Sequence, residues 1–363
     1  MRNIIFTICM SLVVAFACVI EVSALQDIKI TLDTESARAT LDSLGKKEIP
    51  EGELALIAGL AGNQGLIRQA SRFDKRVTDE NFKLALKEMV EKGTKEPDTF
   101  AFKRLKERLV ATRTLLDRIE KNPKELTGEV TQRILKYTPA GVAVDVKVYF
   151  IVGGTSDGFA PNSKTFYVAL DYFEDDYEGL KLVMAHELFH NVQAAAAAAN
   201  KQFFKEGAPA NVKNSFTLLQ NTLKEGTASA IGDPLEVTSG KKYTTWFQGK
   251  YRTNLRRIES NFALFDTLLF RLYNDPDADP GKLYNIGFSG MFDSALYFVG
   301  YRMTRVLEKH KGKDVITAAI NENPVRFFNQ YIKLYKEQND PEAIRFSKST
   351  EEILLKLGQP AQQ

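Results

Sequence analysis

The chain has 363 residues, 44% hydrophobic and 26% charged, which is enough to bury at least one sizeable core. Its 49 basic and 46 acidic residues leave a net charge of +3 with no long block of one sign, so there is no electrostatic footprint for nucleic acid or anionic lipid. The only cysteines, Cys9 and Cys18, lie near the start, which excludes disulfides, cysteine nucleophiles and thiolate metal sites from everything after them.

Residues 1–24 read as a signal peptide, with basic Arg2, an apolar run from Ile4 to Ile20 and small residues near Ala24. A run of about seventeen apolar residues is near the lower limit for a bilayer span. A retained anchor is therefore one alternative, and lipidation at Cys18 is another, although Phe16 stands where a lipobox usually has a smaller residue. Cleavage predicts an exported protein, periplasmic or secreted, whose mature chain touches no membrane unless the leader is retained or lipidated.

The second segment, residues 25–137, reads as helical. Apolar residues recur at helical spacing in Phe82, Leu84, Leu86 and Met89, and again in Leu105, Leu109, Leu115, Leu116 and Ile119; Asn122 and Pro123 end the longer helix. It holds no catalytic constellation and reads as a scaffold layer.

The third segment, residues 138–275, opens with two strands. GVAVDVKVYFIVGG alternates after Pro139, and TFYVALDYF, Thr165 to Phe173, follows a loop with Gly158, Pro161 and Asn162. The stretch Thr165 to Leu170 is a candidate for edge pairing with an extended substrate. Asp175 and Glu178 resemble a capping box for a helix through LKLVMAHELFHNVQ that continues from Ala194 to Ala199. Further helices span Val212 to Ile231 and Thr253 to Tyr273, the latter closed by NDPDADPG. The fourth segment, residues 276–363, carries a helix from Phe292 to Lys309 and a short tail helix capped near Ser349 and Glu352. The fold class is mostly α with a small β-sheet, α+β.

HELFH sits in the middle of its helix. Residues four apart share a helix face, so His186 and His190 aim both imidazoles at one point, and Zn²⁺ accepts such nitrogens in catalytic sites with three protein ligands and an open fourth position for water. Glu187 projects beside that position as the acid–base group, since a carboxylate near zinc-bound water takes its proton and passes it to the leaving amine. The bland alternative is a pair of partly buried polar histidines; Leu182, Ala185, Phe189 and Val192 give the helix a buried side under either reading. The third histidine, His310, reads as a solvated residue near a helix C-terminus.

A third ligand comes from LKEGTASAIGD, where Glu225 lies on a helix and small Gly226, Ala228 and Ser229 permit a close helix approach. Glu206, in a loop before Pro209, and Asp233 are rivals. Over Leu182 to Val192 and Leu223 to Ile231 the sequence resembles the gluzincin metallopeptidases, in which HExxH precedes a glutamate ligand in an E-G-x-A-like setting. It is closest in style to uncharacterised bacterial groups described as zinc-dependent peptidases. The resemblance implies a zincin-like core flanked by helical regions, zinc bound by His186, His190 and Glu225, and Glu187 as catalytic base acting on a peptide or protein substrate. The interval from His190 to Glu225 is longer than in thermolysin-like members. A metzincin pattern fails, because no histidine follows HELFH before His310.

An oxyanion donor is also needed. Tyr297 and Tyr301 lie four apart on one helix face with Gly300 between them, and similar peptidases carry a comparable tyrosine-glycine-tyrosine stretch. Their bland alternative is a core aromatic stripe. Two other function classes remain open from sequence: a zinc amidohydrolase acting on cell-wall peptides, and a non-enzymatic envelope protein with a structural metal. Oligomeric state is not legible.

Overall fold

The computed structural model describes residues 27–94, 96–198, 204 and 207–359. The signal peptide, residues 1–24, and the rival ligand Glu206 lie outside the described residues. The expected α+β class holds: many helices surround one four-stranded sheet.

The chain begins with β1 (Asp27–Asp33), inside the segment expected to be all helix. Its alternation of Ile28, Ile30 and Leu32 is a period-two signal seven residues long, which the helical pattern that follows masked. Next come α1 (Glu35–Ser43), α2 (Glu51–Gly59), α3 (Ala61–Phe73), α4 (Asp79–Glu91), α5 (Phe102–Glu107), α6 (Leu109–Lys121) and α7 (Pro123–Leu135). Pro123 opens α7 at its first turn, where no N–H is needed. The expected apolar face is mostly buried, but Leu84 is an outlier exposed to solvent.

After β2 (Ala143–Ile151), β3 (Gly158–Asn162) and β4 (Thr165–Ala169), the sheet order is β1-β2-β4-β3, with β2 parallel to both β1 and β4 and β3 antiparallel to β4. This corrects the edge-strand expectation. β4 is hydrogen-bonded on both sides, so no substrate can pair with it; the edges are β1 and β3, the latter formed by the residues read as a loop. Along β2, Val144, Val146, Val148 and Phe150 are buried while Asp145 is exposed, and α8 (Tyr177–Ala198) packs against this strand. Tyr149, Tyr167 and Phe159 stack across the strands at 5.1 and 4.8 Å between centroids. The glycine of α3 that meets Tyr167 leaves no room for a side chain: a Cβ on Gly65 would lie 2.0 Å from the ring.

The rest is helical: α9 (Ala210–Ile231), α10 (Lys242–Arg256), α11 (Ile258–Asn274), α12 (Pro280–Phe288), α13 (Ala295–Lys311), α14 (Asp314–Asn321), α15 (Pro324–Glu337) and α16 (Lys348–Leu357). The long helix expected up to Tyr273 is two, broken at Arg257. Asp176, not Asp175, caps α8, accepting from Gly179 N at 3.0 Å and also holding Lys241 N and Thr244 N of the α10 entry. Asp175 is paired instead with Lys241 on the surface. Among the described residues no helix is long and apolar enough to cross a membrane.

Three helices build the centre: α8, α9 and α13. The tightest crossing joins α9 to α13. A Cβ on Gly226 would lie 2.2 Å from the Gly300 carbonyl carbon, and one on Gly300 would lie 2.0 Å from the Thr222 oxygen. The small residues after Glu225 thus admit α13, not α8 as expected. The close approach to α8 falls just past the end of α9, where a Cβ on Gly232 would stand 3.0 Å from that of His186.

Candidate metal centre

His186 and His190 stand one turn apart on α8, with ring centroids 5.0 Å apart and planes nearly perpendicular. Glu225 arrives from α9. Its Oε2 lies 3.5 Å from His186 Nε2 and 3.4 Å from His190 Nε2, yet it is buried with no hydrogen bond, because these approaches lack hydrogen-bond geometry. Three donor atoms therefore converge without satisfying one another, all within 4.8 Å. A buried carboxylate oxygen left in this way is costly unless a cation completes it.

The charge balance agrees. Burial opposes a charge on His190, but Glu225 and then Glu187 outweigh it and push its pKa up to about 9. Burial raises Glu225, yet His190 and His186 hold it well below the usual carboxylate range. These groups surround a point that favours positive charge. The residues fit a zinc ion, since two imidazoles and one carboxylate are the donor set of catalytic rather than closed structural sites.

Gln193, one turn beyond His190, was missed from sequence. Its Nε2 donates to Lys224 O at 2.9 Å and Thr227 Oγ1 at 2.8 Å, which fixes the amide and turns Oε1 toward His190 Nδ1, 2.7 Å away. An amide oxygen only accepts, so Nδ1 carries the proton and Nε2 faces the cluster. The spacing HxxQ was a readable signal, because residues three apart share a helix face.

Glu187 has no hydrogen-bond or ion-pair partner among the described residues and lines a cleft of about 800 Å³. Burial raises its pKa, opposed by His186 and His190. The structure separates the two tyrosines. Tyr297 stacks parallel to His186 at 6.1 Å and lines the cleft; burial, then Glu225 and Glu187, push its phenol well above the ordinary value and keep the proton on. Tyr301 faces away: its hydroxyl donates to Asp233 at 2.6 Å, beside Arg305, and its ring meets the edge of Tyr251. The same contacts occupy Asp233, which is absent from the cluster of ligand atoms. His310 is exposed in the last turn of α13, as expected, and its Nε2 lies 2.5 Å from Asp340 Oδ2.

Trp246, Lys250 and Asp157 also line the cleft. An aromatic-rich helix with one lysine, YTTWFQGKY, was the only sequence signal for the first two. The arrangement is of the kind found in zinc hydrolases: a cluster of three candidate ligands, one of which, His186, lines a recess together with an unpaired carboxylate and a phenol. The model of a family described as "Putative zinc dependent peptidase (DUF5700)" matches residues 55–340, and the chain belongs to that family. No curated protein and no solved structure matches the chain.

Proposed function

We propose that the protein is an exported, gluzincin-type metallopeptidase that hydrolyses peptide bonds, with zinc held by His186, His190 and Glu225. The observation that carries this reading is the buried, unbonded Glu225 Oε2 meeting both histidine Nε2 atoms, with His186 lining the same recess as Glu187. Zinc bound there supplies Lewis-acid polarisation and a water acidified to near neutrality.

The chain's own residues supply the rest. Glu187, free of partners, accepts a proton from the attacking water and returns it to the leaving nitrogen. Tyr297, kept protonated, donates to the oxyanion that develops on the scissile carbonyl, and it takes this role over Tyr301, whose hydroxyl is committed to Asp233. Gln193 holds the proton of His190 on Nδ1 and so directs Nε2 at the cluster. The cleft includes Ser156, Asp157 and Gly158 at the start of β3, so this edge strand is where an extended peptide would pair. Export rests on the composition of residues 1–24.

The test is metal analysis and peptide cleavage on the purified protein. Wild type binds one zinc and cleaves peptides; Glu187→Gln keeps zinc and loses about 10³-fold in kcat; Glu225→Ala loses zinc. Normal cleavage by Glu187→Gln would overturn the mechanism, and full zinc retention in Glu225→Ala would remove the third ligand.

A further inference from the structure

Beside Glu187 the cleft adjoins a recess of about 150 Å³ lined by His186, Glu187, Tyr243, Phe247, Lys250 and Ser294. The charges around it are unevenly satisfied. At the mouth, Arg108 and Lys242 both reach Glu174, at 3.5 and 2.6 Å. Lys250, from α10, has no carboxylate within 4.0 Å of its ammonium among the described residues. Two acidic groups act on it without pairing with it: Asp157, which lines the same recess, accepts the Tyr243 hydroxyl at 2.5 Å, and Asp293 pairs with Arg257 at 2.8 Å. Burial lowers the pKa of Lys250 in consequence. Lys250 is half-buried, and the charges of Asp157 and Asp293 offset its desolvation only in part, because among the described residues neither forms an ion pair with it.

A second feature of the recess points the same way. Ser294 is 7% exposed, its hydroxyl makes no hydrogen bond among the described residues, and it precedes α13, whose first turn has no side-chain cap. Asp293 and Ser294 both hold left-handed backbone, φ 59° and 53°, a conformation that costs a non-glycine residue about 1 kcal/mol or more. This strained pair sets the positive end of a seventeen-residue helix, with the unpartnered Ser294 side chain, at the same wall as Lys250.

Resting on the peptidase reading above, we propose that Lys250, Ser294 and the start of α13 recognise a carboxylate on the leaving-group side of the scissile bond, so that the substrates are peptides carrying a negative charge there. Two sources share this chemistry: the free C-terminal carboxylate, which makes the enzyme a carboxypeptidase, and an acidic side chain after the scissile bond. The aromatic walls at Tyr243, Phe247 and Phe298 exclude water around the pair, which strengthens a charge-assisted contact.

The experiment uses the zinc-loaded protein and one peptide in four forms: free or amidated at the C-terminus, and with Glu or Gln after the candidate bond. Wild type is expected to prefer a carboxylate-bearing form at least tenfold in kcat/KM. Preference for the free terminus identifies the first source, and preference for Glu in the amidated peptide identifies the second. Lys250→Met removes the preference, Lys250→Arg keeps part of it, and the Tm of Lys250→Met does not fall, since among the described residues Lys250 makes no ion pair that the fold would lose. Equal cleavage of all four forms by wild type, or an unchanged preference in Lys250→Met, overturns the proposal. Binding of the same peptides to zinc-loaded Glu187→Gln, by calorimetry, separates this from the peptidase reading. A Lys250-dependent carboxylate preference in binding with no cleavage by wild type supports the carboxylate site and sinks the peptidase. A preference in binding that survives Lys250→Met belongs to the metal and counts against the site.

Discussion

The α8–α9–α13 crossing and the N-terminal helical layer are both well buried, but by different means. The layer is held by large apolar side chains: Phe82, Phe100 and Phe102 meet at 5.1 to 5.7 Å between centroids, with Leu86, Met89 and Leu116 beside them. Its ion pairs, such as Arg38 with Asp117 and Glu120, are mostly at the surface. The crossing is held by backbone contact at Gly226 and Gly300 and filled with polar groups: Gln193, Thr222, Thr227, Asp233 and Tyr301 are all buried. Side-chain packing yields a robust layer in which no atom needs an exact position. Backbone contact fixes helix axes closely enough to converge three ligand atoms, and it leaves little tolerance for change.

The contrast can be broken from either side. Phe82→Ala in the layer should cost about 4 kcal/mol by denaturant unfolding while the folded protein still binds one zinc; loss of zinc from the folded variant would show that the two regions are not separable. Gly300→Ala should cost about 3 kcal/mol and also weaken zinc binding, because the new Cβ meets the Thr222 carbonyl rather than a movable side chain. An unaltered zinc affinity there would mean that the crossing does not position the ligands.

Asp171→Ala probes a buried carboxylate that ties the layer to the sheet. Asp171 holds Arg104 at 2.7 Å and Gly153 N at 2.7 Å, so its loss should cost about 3 kcal/mol with zinc retained. Gln193→Ala should lower zinc affinity 10- to 100-fold in a chelator competition and move the unfolding midpoint less than the preceding variants. The smallest effect is expected from Asp145→Asn, which removes an exposed partner of Lys29 and should change stability by less than about 0.5 kcal/mol.

Local signals account for much of what the sequence disclosed. HELFH at helical spacing, the helix bearing Glu225, the β2 alternation and the α+β class all depend on residues near one another in the chain, where periodicity carries the information. Two failures, β1 and β3, were short segments whose strand identity comes from pairing with β2 and β4 rather than from their own composition. Residues 27–33 were absorbed into a helical reading because their alternation is only seven residues long and their partner strand lies more than a hundred positions away.

The sequence by itself determined the chemistry available: two histidines and a glutamate in one register, no thiols after the leader, and a glutamate followed by small residues. Only the tertiary structure decided which groups take part. Tyr297 and Tyr301 share a helix face and are equivalent by spacing, but a helix face four residues long meets different neighbours at its two ends. One hydroxyl meets the metal cluster and the other meets Asp233. Likewise Gly226 was legible as a contact, while its partner was not, because the direction in which a helix is approached is set by the whole core.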